Sequence, residues 1–156
     1  MLVITDELIP AARAIERVQR REQTATCMLD DEDLARFEPI DTVKLPRGDA
    51  YLVFDIDLGA DLRNVTPNDA LETIEERDRS PLTIDEGIAL VTQFPEAIAR
   101  NAGFSLAGSR CGDRRVCALW ISENRPKLGW CWAGNPHTWL GTASCAGRAG
   151  VPAPGG

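Results

Sequence analysis

The chain has 156 residues, with 17 Lys and Arg against 24 Asp and Glu and a formal net charge of −7. That length fits one domain whose core needs no disulfide or metal staple to fold, and the acidic balance weighs against a nucleic-acid partner. No apolar run approaches the roughly 18 residues of a membrane span, and the start MLVITDELIP lacks the basic residues and long apolar stretch of a secretory signal.

LVIT, residues 2–5, reads as a strand set at the very first residues, which suggests a domain truncated at its N-terminus relative to a longer form. Ala11, Ile15 and Val18 follow at helical spacing, and Pro10 places the start of that helix near itself. TATCML reads as a strand, DDEDLARF as a short helix with acids in its first turn, and EPIDTVKLPRGD as a loop. AYLVFDID, residues 50–57, is the clearest strand and is expected in the middle of a sheet. Thr66 and Pro67 cap and open a helix with Leu71 and Ile74 inward. Thr83 and Glu86 form a T-x-x-E capping box before a helix whose apolar face is Ile84, Ile88 and Val91. Pro95 is expected to open one more short helix, closed by Gly103.

The texture then changes. FSLAGS, RRVCALWIS and KLGWCWA read as three strands joined by turns at RCGD and ENRP. Val116, Ala118 and Trp120 share one face of the middle strand and Cys117, Leu119 and Ile121 the other, so that strand is expected to be buried on both sides. In the next strand Leu128, Trp130 and Trp132 alternate with Gly129 and Cys131. GNPHTWLGTAS is a polar loop or short helix. AGRAGVPAPGG reads as a Gly/Pro/Ala tail, with a domain over 1–148 and a flexible segment over 149–156. The expected fold class is α+β: a mixed sheet with a C-terminal antiparallel three-stranded meander and helices packed on it.

Charge is uneven along the chain: residues 1–101 hold 11 basic and 22 acidic residues, and residues 102–156 hold 6 and 2. The two parts are suited to attract each other across one fold, and the basic part is also suited to an anionic ligand. Five cysteines, an odd number in a chain of ordinary size, read as reduced thiols of a cytoplasmic protein. Their spacing with the single His, C-x5-C-x13-C-x5-H-x7-C, lacks the C-x2-4-C knuckle of a zinc site, so neither a metal nor another cofactor is expected. The Asp-x-Asp at Asp55 and Asp57 resembles the first motif of haloacid-dehalogenase-like phosphatases, but no later strand ends in an acidic pair, and the carboxylates are expected to bind backbone N–H groups instead.

SPLTIDEGIALVTQFPEAI, FSLAGSRCGDRRVCALWIS and PKLGWCWAGNPHTWLGTASC, with AYLVFDIDLG and NVTPNDAL, resemble an actinobacterial family, domain of unknown function 5701. The likeness covers about residues 40–148 and extends toward residue 1. Cys117 stands where the family pattern has Pro, which argues against it as a ligand. The resemblance implies no activity and no catalytic residues.

The leading expectation is a binding or regulatory protein with a pocket for a small anionic ligand. Trp132, Asn135, His137 and Trp139 would line it, with Arg110, Arg114 or Lys127 at its mouth. The alternatives are a Cys/His-dependent enzyme of acyl transfer or hydrolysis, with His137 and Cys145 as the catalytic candidates, and a protein-interaction subunit with an exposed Trp face. The expected partner is thus a small molecule, with no membrane and no nucleic acid.

Overall fold

A computed structural model describes residues 1–151. The strands in chain order are β1 (Leu2–Ile4), β2 (Gln19–Arg20), β3 (Gln23–Thr24), β4 (Thr26–Cys27), β5 (Glu38–Pro39), β6 (Ala50–Asp57) and β7 (Ser80–Pro81). They continue as β8 (Gly103–Ser105), β9 (Ser109–Arg110), β10 (Arg115–Ser122), β11 (Arg125–Trp132), β12 (Leu140–Thr142) and β13 (Ser144–Gly150). The helices are α1 (Ala11–Ala14), α2 (Asp31–Ala35), α3 (Pro67–Glu76) and α4 (Ile84–Gln93). This is an α+β fold with two principal sheets. One runs β1-β6-β13-β7, all antiparallel, and the other β12-β8-β10-β11-β4, with its outer pairs parallel.

The expected meander is the centre of the second sheet. β10 lies antiparallel between β8 and β11, and Glu123 and Asn124 turn the β10–β11 hairpin, both at positive φ as a tight primed turn requires. Val116, Cys117, Ala118 and Leu119 are all buried, so β10 is covered on both faces as its unbroken apolar run implies. β6 is central in the first sheet but covered on one side only: Tyr51 and Val53 enter the core while Leu52 and Phe54 face out. Its alternation slips at Asp55, which adopts φ 54°. Phe54 and Asp55 are therefore exposed in succession, and Ile56 turns back toward the core.

α4 carries the capping box read from Thr83 and Glu86, with both reciprocal bonds present, and Ile84, Ile88 and Val91 are buried against the main core. Thr66 caps α3 in the same way by accepting the Asp69 N–H; Ile74 is buried and Leu71 half-buried. Two sequence-derived helices are shorter than expected. α1 has 4 residues and tightens into a single 3-10 turn at Ile15–Arg17. Val18 then goes extended, buries its side chain and leads into the β2–β3 hairpin. Pro95 opens one 3-10 turn, Pro95–Ala97, because Ile98 is drawn extended into the core, where its carbonyl accepts Arg20 Nε. Gly103 does not end that turn. It opens β8, where a Cβ would stand 2.7 Å from the Leu119 carbonyl oxygen of β10.

The expected flexible tail needs the largest correction. Ala146–Gly150, including Ala149 and Gly150 from the segment 149–156, lie in β13 alongside β6, while Ser144 and Cys145 of the same strand also pair with β7. The physical reason is Arg148. It donates from Nε to Glu86 Oε2 at 2.6 Å and from Nη2 to Glu86 Oε1 at 2.8 Å. Nη1 reaches the Ser80 hydroxyl at 2.7 Å and Nη2 the Pro81 carbonyl at 2.9 Å. Tyr51 donates its hydroxyl to Glu86 Oε2, so one buried carboxylate ties together a helix start and two sheet strands. The rest of the expected tail, residues 152–156, lies outside the described residues.

The two sheets meet at a corner of one residue. Ala143, between β12 and β13, gives its carbonyl to the Leu82 N–H of one side and its N–H to the Ser105 carbonyl of the other. This corner fixes how the polar loop before β12 sits against α3.

Candidate functional site

The segment from β9 to β10 holds three arginines, and local bonding separates their roles. Arg115 is committed. Asp33 of α2 receives it in bidentate fashion, with the Nη2 bond at 2.9 Å, and Asp113 accepts both its Nε and its backbone N–H. These contacts hold the Asp33 and Asp113 carboxyls below the ordinary range. For Asp33 the side-chain bond from Arg115 is the main cause, and for Asp113 the backbone N–H of Arg115. The Arg115 guanidinium also lies 5.7 Å from the Trp130 ring and 5.6 Å from that of Phe37, within cation–π reach. This is the attraction between the acidic and basic parts of the chain, with Arg148–Glu86 as its buried counterpart.

Arg110 and Arg114 are free of such pairing. Among the described residues neither meets a carboxylate at ion-pair distance. Arg110 donates one Nη2 bond to the Asp113 backbone carbonyl at 3.1 Å, while its Nε is buried without a partner. Both arginines line a cleft of about 600 Å3 with Asn68, Trp132, Ala133, Gly134 and Asn135. Backbone bonds rigidify its floor: Ala133 donates to the Arg114 carbonyl and accepts from the Asn68 N–H of α3. Trp132 is 47 % exposed and packs edge-on against Trp130 with ring centroids 4.7 Å apart. A flat aromatic surface, two unpaired guanidinium groups and two side-chain amides therefore share one wall system.

Four of the expected pocket residues, Arg110, Arg114, Trp132 and Asn135, are brought together here. Three are not. Lys127 stands opposite Trp120 on the other face of the β10–β11 pair, with its ammonium 6.0 Å from that ring. Trp139 packs against the same Trp120 at 5.6 Å, and His137 leans on Trp139 at 5.1 Å. The alternation of β11 separates the two groups, since Trp132 and Lys127 differ by an odd number of residues and point to opposite faces. Asn68 joined the cleft unforeseen. It lies more than sixty positions from Trp132, and only its place in the first turn of α3, after a legible cap, hinted at proximity to a polar partner.

Cys145, the cysteine candidate for a thiol–imidazole pair, lies inside the first sheet. Cys145 sits in β13 with no exposed surface, and burial pushes its thiol up, away from the thiolate a nucleophile needs. No hydrogen bond joins His137 to a cysteine among the described residues, and no group of three or more His, Cys, Asp or Glu there is placed to hold a metal. Asp57 accepts the Gly59 N–H at 2.7 Å and Asp55 is paired with Arg79 at 3.0 Å, which are structural duties and not those of a phosphatase pair. No helix of the described residues is long and apolar enough to cross a membrane.

Fold and cleft together define an α+β domain with a cationic, Trp-walled groove. The chain belongs to a family of unknown function, DUF5701, whose model matches residues 1–151. No curated protein and no solved structure matches it.

Proposed function

We propose that the domain is a cytoplasmic binding or regulatory protein that takes up a small anionic molecule in the Arg110–Arg114–Trp132 cleft. The observation that carries this reading is the buried, unpartnered Arg110 Nε in the cleft wall. A buried donor without an acceptor costs on the order of 1–3 kcal/mol, and an anionic oxygen seated there would recover it through a charge-assisted bond. Arg114 adds a second cation, Asn68 and Asn135 add neutral donors and acceptors, and Trp132 offers a face for a flat apolar body. Arg110 and Arg114 line the same cleft and no carboxylate does, which makes the cleft a local positive patch in a chain of net charge −7. The cytoplasmic reading is supported by five cysteines that are all free thiols.

The test is titration with phenyl phosphate and benzoate, followed by calorimetry and tryptophan fluorescence. Arg110→Met and Arg114→Gln should each weaken binding about tenfold or more, as loss of a charge-assisted bond does. Trp132→Ala should weaken the aromatic anions more than inorganic phosphate. Binding unchanged in both arginine variants would refute the reading.

A further inference from the structure

A second cavity lies on the other side of β9 and has the opposite chemistry. It encloses about 250 Å3 between the loop after β1, the starts of α1 and α4, and α2. Its apolar walls are Pro10, Ala11, Leu34, Phe37, Leu45 and Ile84. Its polar lining includes three carboxylates, Asp6, Asp31 and Asp85, and no Lys or Arg. Asp31 is answered from outside by Arg13. Asp6 and Asp85 make no ion pair among the described residues. Thr83 and Ser109 spend their hydroxyls as acceptors for the N–H groups of Glu86 and Ile84. Thr5 is different: its hydroxyl oxygen is buried and has no hydrogen-bond partner.

We infer that this cavity binds a small organic ammonium, with the charged nitrogen against Asp85 and Asp6, one N–H on the Thr5 hydroxyl, and a short apolar body against Leu34, Phe37 and Ile84. Three features converge on that class. An ammonium has three donors, and the cavity offers two unpaired carboxylates and one orphaned hydroxyl as acceptors. The apolar walls suit a hydrocarbon body and not a hydrated metal ion, which would also want more carboxylate ligands than the described residues group together. Finally, the Asp6–Asp85 pair is electrostatically uncomfortable. Burial first, and then the neighbouring charge of Asp6, push the Asp85 carboxyl up to about 7, although it lies in the first turn of α4 where a negative charge is normally favoured. Asp31 is matched by Arg13 and Glu86 by Arg148, while Arg17, which lines a neighbouring pocket with Asp85, makes no ion pair with it. A bound cation would let Asp85 ionise. The site does not depend on the anion cleft. The two are separated by consecutive residues, Ser109 lining one and Arg110 the other.

The experiment uses the full chain labelled with nitrogen-15. Benzylammonium and n-butylammonium are titrated at about pH 8, with benzyl alcohol and n-butanol as neutral counterparts and Mg²⁺ as a metal control. The ammonium ions should shift the backbone resonances of Asp6, Asp85 and Ser109 and raise Tm, and the alcohols should bind about tenfold more weakly or not at all. Asp85→Asn should weaken the ammonium ions about tenfold and narrow their advantage over the alcohols. Thr5→Val, which keeps the shape, gives a second reading should Asp85→Asn fold poorly, and should weaken the ammonium ions more than the alcohols. Equal binding of alcohol and ammonium, Mg²⁺ shifting the same resonances, or no shift with any probe would each overturn the inference.

Discussion

Replacing Arg148 by Met should cost the domain a large part of its stability. Glu86 is 0 % exposed and the Arg148 side chain 5 %. Four donors converge on the carboxylate: the Thr83 N–H and Arg148 Nη2 on Oε1, and the Tyr51 hydroxyl and Arg148 Nε on Oε2. Methionine keeps most of the volume of the stem but removes both charge-assisted bonds, leaving a buried carboxylate with two neutral donors and no counter-charge. Breaking such a pair from one side costs roughly 3–5 kcal/mol, against a total of about 5–15 kcal/mol for a typical domain. At about 2–4 °C per kcal/mol for a chain of this size, Tm should fall by about 6–20 °C. Urea unfolding followed by circular dichroism reads the free energy directly. The double variant Glu86→Gln/Arg148→Met supplies the control. It removes the orphaned charge, keeps a carbonyl oxygen for the Thr83 N–H while the new amide NH2 donates to the Tyr51 hydroxyl oxygen, and should recover about half of the loss or more. An Arg148→Met protein within about 1 kcal/mol of the parent, on the scale of an exposed pair, would refute the buried-pair argument and return residues 146–150 to the status of a dispensable tail.

Two further outcomes follow from burial and charge. Brief treatment of the native protein with iodoacetamide should modify the half-buried Cys111 and Cys131 ahead of Cys117 and Cys145, which have no exposed surface; burial pushes the Cys131 thiol up as well, so access decides the order. Mass spectrometry of the digest reads this, and early labelling of Cys145 would revive a Cys/His enzyme. Asp33→Asn should flatten the acid limb of stability. Because Arg115 lowers the folded-state affinity of Asp33 for a proton, its stabilisation is complete above the unfolded value of about 3.9 and is lost as pH falls through the lowered one. The stability gap between parent and variant should therefore be steady near neutrality and shrink below about pH 4. A gap that persists unchanged into strong acid would contradict the assignment.

Local signals carried much of the fold. Caps at Thr66 and Thr83 and the two-sided apolar run of β10 are decided within a few residues and are present as read, and the turn expected at ENRP tightens to Glu123–Asn124 with Arg125 and Pro126 in β11. What failed were elements whose state is decided at long range. Residues 146–150 are rich in Gly and Ala and look unstructured, yet they become strand because Glu86 and the free side of β6 await them. The segment from Pro95 looks helical, yet Ile98 is claimed by the core. The candidate site divides the same way. Arg110, Arg114, Trp132 and Asn135 meet in one cleft, but a two-residue period in β11 sends Lys127 to the opposite face. Asn68 and the acidic cavity come from segments distant in sequence, which no local pattern could join.

The place of β13 sets when this molecule can become itself during synthesis. The strand lies inside the first sheet, hydrogen-bonded to β6 on one side and β7 on the other, and it is built from Ser144–Gly150, the last strand along the described chain. Until those residues leave the ribosome, β6 has only β1 as a neighbour and β7 is unattached to its sheet. Glu86 meanwhile lacks the guanidinium that neutralises it. The nascent chain must therefore expose the open side of β6, with Leu52 and Phe54 beside it, while residues 58–143 are made. Closure is a late, long-range event, so a nascent-chain chaperone that shields that edge would have most to offer in the interval just before Arg148 appears.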